Sequence, residues 1–422
     1  MLFINGALGL GGLETFYVRM AKERAKQGLP TSLLLLSKPE ASDENLLEEM
    51  KKYAKVVFTQ DIFSISAGFS RRFPLLSPVK KNALSNLFEN VNQIHVSDGM
   101  LGLVGERFNR ISGKNIPITI GFYHYIQYLW GGEKVPSFEK TNRRFVFKFL
   151  PKEALLMFSD GVKDLYEKNK SMNLEGAQVF RLGVVDKKKV RVSGSLKRPL
   201  KIIAIGRLVD FKTYNLYMLE VVSELKTKGI FVKLDIFGDG PLKQHIITKI
   251  NQLELNDSVA LKGSLEYSKF DETVSHYDLF VGSGTAIIQA ASLGLPSIIG
   301  VENVIHSKTY GYFSDFYKYE YNLKGLSFPL LSVEKIIENY FFMDEGKRLE
   351  LKKSHIIASE VFTNEACQKG MDALKNIRMP VQGFKYNRWS YELSRLIDRV
   401  NLRLNKNHPR LRKFEDFRKL HE

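Results

Sequence analysis

Short apolar runs alternate with longer stretches of helical period along this chain. In the first half the runs are LFIN, TSLLLLS, KVVFT, NQIHVSD, IPITIGFYHY, EALLMF and AQVFRLG; in the second they are LKIIAI, VKLDIF and DLFV. Each is too short for a helix and rich in branched side chains, so each reads as a buried parallel strand. In the second half the strands are followed by a glycine turn and then a helical pattern. Alternation of this kind predicts α/β architecture with doubly wound sheets, whose ligands bind at the carboxyl ends of the strands.

The chemistry clusters at those predicted ends. Arg207 follows LKIIAI, and Lys212 lies five positions on. A guanidinium fork and a compact ammonium on one loop can clamp a diphosphate; a basic surface pair is the plainer alternative. Gly238-Asp239-Gly240-Pro241 is a tight turn before a helix, a common punctuation with little specificity alone. Gly282-Ser283-Gly284-Thr285 enters the helix TAIIQAASLG, and free N–H groups at such an entry suit a phosphate. Gln289 stands four residues inside that helix, where it either meets a ribose hydroxyl or sits on a half-buried face.

In the first half, the loop after LFIN carries Gly11 and Gly12 and runs into a helix near Leu13-Glu14-Thr15. Glycine there lets the backbone approach a ligand, although a plain tight turn explains it too. His95 and His124 close two of the strand patterns; each is a hydroxyl or phosphate partner or an ordinary packed histidine. Around His124 stand Phe122, Tyr123, Tyr125, Tyr128 and Trp130, rings that stack on sugars, hold lipid chains or simply pack. The stretch Ile62 to Lys81 mixes Phe69, Phe73, Leu75 and Leu76 with Arg71, Arg72, Lys80 and Lys81. Such a mixture suits a membrane interface or a partly buried loop with a basic rim.

DKKKVRVSGSLKRP (186–199) is basic, interrupted by Ser-Gly-Ser, and is the best candidate for a connector between domains. The expected division is an N-terminal Rossmann-like acceptor domain over 1–190, a C-terminal Rossmann-like donor domain over 198–376, and a tail over 377–422. From Arg378 onward the tail holds 12 Lys/Arg and 5 Asp/Glu, a surplus of +7. Within it, Leu393, Leu396, Ile397, Val400 and Leu404 form one helical stripe, flanked by Arg395, Arg399 and Arg403. This basic amphipathic helix docks either on an acidic bilayer or on the protein itself.

Composition narrows the partners. The 422 residues are 44% hydrophobic and carry a formal charge of +17, which favours an anionic partner. The basic excess comes without the basic–aromatic motif of a known nucleic-acid module, so nucleic acid is not expected. Cys367 is the one cysteine, which precludes an internal disulfide and fits a reducing compartment. No apolar run reaches the ~20 residues of a membrane span, and no basic segment precedes the first strand in the manner of a secretory leader. The expectation is a cytoplasmic protein able to lie peripherally at the inner face of a membrane.

Taken together, GGLE (11–14), IGRLVDFK (205–212), FGDGP (237–241), LKGSL (261–265) and QAASLGLPS (289–297) resemble the retaining glycosyltransferases of family 4, in that family's order. FTNEACQKGMDAL (362–374) is similar to their closing helix. The resemblance covers about residues 1 to 376. It implies the GT-B architecture, two Rossmann-like domains facing across a cleft, here with a basic helical tail. It also implies sugar transfer from a nucleotide diphosphate sugar, UDP or GDP type, with no cofactor beyond that co-substrate. Arg207 and Lys212 then hold the donor diphosphate as catalytic cations, and His124 sits near the transferred sugar. The backbone at Gly11, Gly12, Gly238, Gly284 and Thr285 approaches the donor, and Gln289 takes the position of a ribose-binding glutamate. That family motif has two glutamates separated by seven residues; here their positions are taken by Val281 and Gln289. A glutamine cannot accept as a carboxylate does, so the carboxylate must come from elsewhere or be dispensable. No Asp-x-Asp metal motif occurs, and metal independence is expected. The basic tail and Ile62–Lys81 point to a lipid-linked glycan acceptor, as in bacterial surface polysaccharide assembly. A non-catalytic, nucleotide-binding partner is the alternative.

Overall fold

The computed structural model describes residues 1–412, apart from 10, 125, 133, 134, 171, 172, 197, 320, 321 and 323–325. It divides into two compact units, Met1–Gly183 with Cys367–Glu422, and Val184–Ala366.

The first unit is built on a seven-stranded sheet. Its strands are β1 (Leu2–Asn5), β2 (Ser32–Leu35), β3 (Lys55–Phe58), β4 (Ile94–Val96), β5 (Ile118–Phe122), β6 (Leu155–Met157) and β7 (Gln178–Val179), in the order β3-β2-β1-β4-β5-β6-β7. Every neighbouring pair is parallel. The order reverses between β1 and β4, the switch point where such sheets open a crevice. Both faces of the central strands are covered: Leu2, Phe3, Ile4, Ile94 and Val96 have no exposed surface. That burial explains why the strands read as continuous apolar runs and not as alternating ones.

The second unit repeats the plan with β8 (Leu200–Ile205), β9 (Val232–Phe237), β10 (Val259–Gly263), β11 (Leu279–Gly282) and β12 (Ser297–Ile299). The order is β10-β9-β8-β11-β12, again all parallel. Its switch point lies between β8 and β11, so the loops after those two strands border one crevice.

Two stretches lie differently from the sequence-based division. The helix Asn364–Ala373 sends Cys367 and Met371 into the core of the first unit beside Phe16, Tyr17 and Met20. Arg24 pairs with Asp372, and the Gln27 amide donates to Gln368 at 2.8 Å. The first unit is therefore discontinuous in sequence. The basic 186–199 stretch is no loose connector either. Arg348 donates to the Gly194 carbonyl at 2.7 Å, and a Cβ on Gly194 would come within 1.9 Å of the Glu345 carbonyl oxygen. The Arg198 guanidinium lies over the Phe341 ring.

The tail belongs to the first unit as well. Its helix, Arg388–Leu404, starts where the Asn387 side chain caps the Ser390 N–H at 3.0 Å. It docks on the helix Ser137–Arg144 through its polar side. The Tyr391 hydroxyl donates to Asn142 at 2.7 Å, and Ser394 accepts from the Phe138 N–H at 3.1 Å. Buried Glu392 accepts from the Leu75 N–H at 3.1 Å and pairs with Arg395. The apolar stripe faces away: Leu393, Leu396, Ile397, Val400 and Leu404 are 41–79% exposed. Full burial of such a side chain is worth roughly 1.5–3 kcal/mol, and each of the five forgoes about half of that or more.

Candidate functional site

In the second unit the chemistry gathers at the β8/β11 switch point. The loop leaving β8 carries exposed Arg207 and then turns back, so that Lys212 lies against the strand end; a Cβ on Gly206 would sit 3.1 Å from its ammonium nitrogen. Burial lowers the proton affinity of Lys212; Glu302 opposes this and Arg207 adds to it. Glu302 follows β12 and curls over the end of β11. Its carboxylate accepts from the Ser283 hydroxyl at 3.2 Å, its N–H donates to the Asn322 carbonyl at 2.8 Å, and the next residue, Asn303, donates to the Phe211 carbonyl. Burial raises the carboxyl, while Lys212, the Ser283 hydrogen bond and Arg207 favour its ionised form. Two cations and one half-buried carboxylate thus share a strand-end crevice, leaving one positive charge in excess for an anionic ligand.

Glu302 and Asn322 escaped the sequence reading. The available signal was position: Glu302 falls just beyond a strand's carboxyl end, as Arg207 does. Glu302 places a carboxylate in this crevice on a loop other than the one that follows Val281. Val281 is fully buried inside β11, and Gln289 is 8% exposed in the helix Thr285–Ser292.

The glycine turns have roles narrower than ligand contact. Gly238 has φ +150°, and a Cβ there would stand 1.9 Å from the Gly206 carbonyl oxygen. The turn clasps the Arg207 loop: the Leu208 N–H donates to the Asp239 carbonyl, and the Leu242 N–H donates to the Leu208 carbonyl. Gly238 donates its own N–H to Gly263 at 2.8 Å. Gly284, at φ +69°, donates its N–H to the Asn322 side chain at 2.9 Å, so this group is engaged inside the unit. Thr285 is exposed at the first turn of its helix.

In the first unit, Gly11 caps the helix Gly12–Lys26. A Cβ on Gly12 would meet nothing within 4 Å, whereas one on Gly11 would stand 2.3 Å from the Glu14 carboxylate, which folds over the helix entrance. His95 is a packed histidine: one ring nitrogen lies 2.9 Å from the Thr119 hydroxyl, the other 2.7 Å from that of Tyr123. Burial pushes its pKa down to about 3 and keeps the ring neutral. His124, two residues beyond β5, lines a cavity of ≈ 450 Å³ together with Asp98, Gln127, Glu139, Arg395 and Arg399. Its Nδ1 accepts from the Ile126 N–H at 3.2 Å, which leaves Nε2 as the protonated nitrogen of the neutral ring. Most of the surrounding aromatics are packing. Phe122, Tyr128, Phe147 and Tyr166 stack edge-on in the core, and Trp130 lies between Arg143 and Arg410. Tyr125 lies outside the described residues.

Residues 185–312 match the family described as Glycosyl transferases group 1. Among curated relatives, WcaL of Escherichia coli (strain K12), whose name assigns it to colanic acid biosynthesis as a glycosyltransferase, is 26% identical over 121 residues; its counterpart in Salmonella typhimurium is 25% identical over the same length. Each match covers 26% of this chain and 29% of the relative, so the chain matches less than a third of the length of these curated relatives. Among solved structures, the lipopolysaccharide outer core galactosyltransferase WaaB superposes with a TM-score of 0.55 at 16% identity, covering 88% of this chain and 98% of that one. Anabaena HepE in complex with UDP and glucose gives 0.55 at 16% identity, covering 89% and 99%. The chain has the fold of GT-B glycosyltransferases, and its second unit carries the group 1 glycosyltransferase segment.

Proposed function

We propose that the protein transfers a hexosyl group, with retention, from a UDP- or GDP-sugar to a hydroxyl of a lipid-linked glycan during surface polysaccharide assembly. The observation that carries this is the convergence of Arg207, Lys212 and Glu302 on the β8/β11 crevice. The bond from the anomeric carbon to the donor phosphate oxygen breaks, and the acceptor oxygen bonds to that carbon on the same face. The acceptor's proton passes to the departing phosphate oxygen, so no protein nucleophile is required. Arg207 and Lys212 meet the charge that develops on the diphosphate without a metal ion. Glu302 accepts hydroxyl hydrogen bonds from the donor, the role left vacant by Val281 and Gln289. In this reading His124 donates from Nε2 to a hydroxyl of the sugar. The UDP complex of HepE and the group 1 segment support a nucleotide-sugar donor. The buried Val281 and neutral Gln289 favour the second reading, a non-catalytic partner that binds the nucleotide only.

Melting the protein with UDP, GDP and ADP, then following hydrolysis or transfer of the matching sugar donors, tests both. A bound nucleotide at a hundredfold excess over its Kd adds about 2.7 kcal/mol. No shift with any nucleotide overturns the donor site; a shift without turnover selects the second reading.

A further inference from the structure

The tail helix raises a question that sugar transfer by itself leaves unanswered. It docks by its polar side and leaves a continuous apolar stripe outside, from Leu393 to Leu404. At 1.5 Å per residue that stripe runs about 16 Å, far more than a scattered exposed leucine. On the flank between the docked side and the stripe stand Arg399 and Arg403. Arg395 and Arg410 are neutralised by Glu392 and Asp398. Arg399, Arg403 and Arg72 make no hydrogen bond or ion pair among the described residues. Arg72 ends the helix Ala67–Arg72, which carries exposed Phe69, with Ile65 exposed just before it. Arg399 is exposed; its proton affinity is depressed by partial burial and then by Arg395, Glu392 opposes this, and Arg72 and Arg410 add to it. Arg72 and Arg399 thus feel each other's charge, and an anion between them relieves that repulsion.

Arg399 also edges a built cavity. It lines the ≈ 450 Å³ space that holds His124 and Gln127, where Arg395 and Arg410 stand with Asp98, Glu139 and Asp398. On the other side of the helix, a groove of ≈ 470 Å³ is bordered by Leu393, Ile397, Pro136 and Pro409. The groove also takes in Ser137, Ser390, Ser394, Asp398, Asn401 and His408, so the apolar surface this helix offers is the exposed stripe itself. We infer that the tail helix forms a subsite for a phosphate-bearing long-chain lipid, with the phosphate between Arg72 and Arg399 and the chain along the Leu393–Leu404 stripe. The occupant must be amphiphilic, because a free phosphate leaves the stripe bare and a neutral lipid leaves the arginines unmatched. This rests on the glycosyl-transfer reading only in that the lipid's head group carries the acceptor glycan into the His124 cavity.

The test is flotation of the full-length protein with phosphatidylcholine vesicles containing a few mole per cent of a polyprenyl phosphate. Vesicles with the same charge supplied by phosphatidylglycerol, and vesicles of phosphatidylcholine alone, are the controls. Binding to the polyprenyl phosphate should exceed binding to either control by about tenfold, roughly the value of one charge-assisted hydrogen bond. The Arg399→Gln and Arg72→Gln variants, each shown to melt as the parent does, should lose that excess, and Leu396→Ser with Ile397→Ser should lose binding to all vesicles. Equal binding to phosphatidylglycerol vesicles overturns the subsite in favour of a general acidic surface. Retained preference in both arginine variants overturns it too. Nucleotide binding by the same protein is read separately. Its absence beside intact lipid-phosphate binding sinks the transferase reading and leaves this subsite standing.

Discussion

Replacing Arg207 by alanine separates chemistry from folding more cleanly than any other change in the crevice. The side chain is exposed at the end of β8 and makes no hydrogen bond or ion pair among the described residues, so its removal leaves no buried group unsatisfied. Stability should then move by no more than about 0.5 kcal/mol, the range for surface positions without such features. The catalytic cost is of another order. Two unit charges at ~4 Å and an effective dielectric constant of about 20 interact by ~4 kcal/mol. Loss of one preorganised donor to a developing oxyanion typically costs about 2.7–4 kcal/mol, or ~100–1,000-fold in turnover. Arg207→Ala should therefore melt as the parent does and lose ~100–1,000-fold in kcat/KM. If Arg207 acts on the departing diphosphate, the loss falls on kcat; a rise in KM alone would mean uniform binding of donor and transition state. The assay is release of nucleoside diphosphate from the donor found by melting, at saturating and sub-saturating donor. Turnover within threefold of the parent would refute the clamp.

Other expectations follow from neighbouring features. Gly238→Ala places a methyl group on the Gly206 carbonyl at positive φ; a loss of about 2 kcal/mol or more, with nucleotide binding weakened through the displaced Arg207 loop, should appear in urea melts and titrations. Glu392→Gln keeps the shape of the buried side chain but weakens its hold on the Leu75 N–H and on Arg395; about 1–3 kcal/mol of local stability should go, read as faster hydrogen exchange over 388–404. His95 and His355 are neutral in the fold, with burial lowering them to about 3 and about 4 from 6.5. Their contribution is complete above pH ~6.5 and is lost as pH falls towards those values, because the unfolded chain binds the extra protons. Each unit should lose a few kcal/mol between pH ~6.5 and ~4 in pH-dependent melts; flat stability over that window would contradict the neutral rings.

The strands and the strand-end cations were legible because doubly covered parallel strands must be short apolar runs, and because a βα loop must emerge at their carboxyl ends. LKIIAI followed by Arg207 and Lys212 carries both facts within one local window. The glycine at 238 was visible but its reason was not: a contact with Gly206, thirty-two residues away, is set by how two strands lie side by side. Glu302 was hidden for the same reason, since its carboxylate reaches Ser283 only after β12 has packed beside β11.

The tail shows the division most plainly. Periodicity alone determined that 393–404 forms an amphipathic helix with arginines off its stripe, since 3.6 residues per turn fix which side chains share a face. Only the tertiary structure decided which face is spent on the protein. Tyr391, Glu392 and Asp398 find partners inside the first unit, and the apolar stripe is left exposed. Local spacing sets a helix's faces; the direction each face points depends on partners distant in sequence, such as Leu75 and Asn142, and no local window contains them.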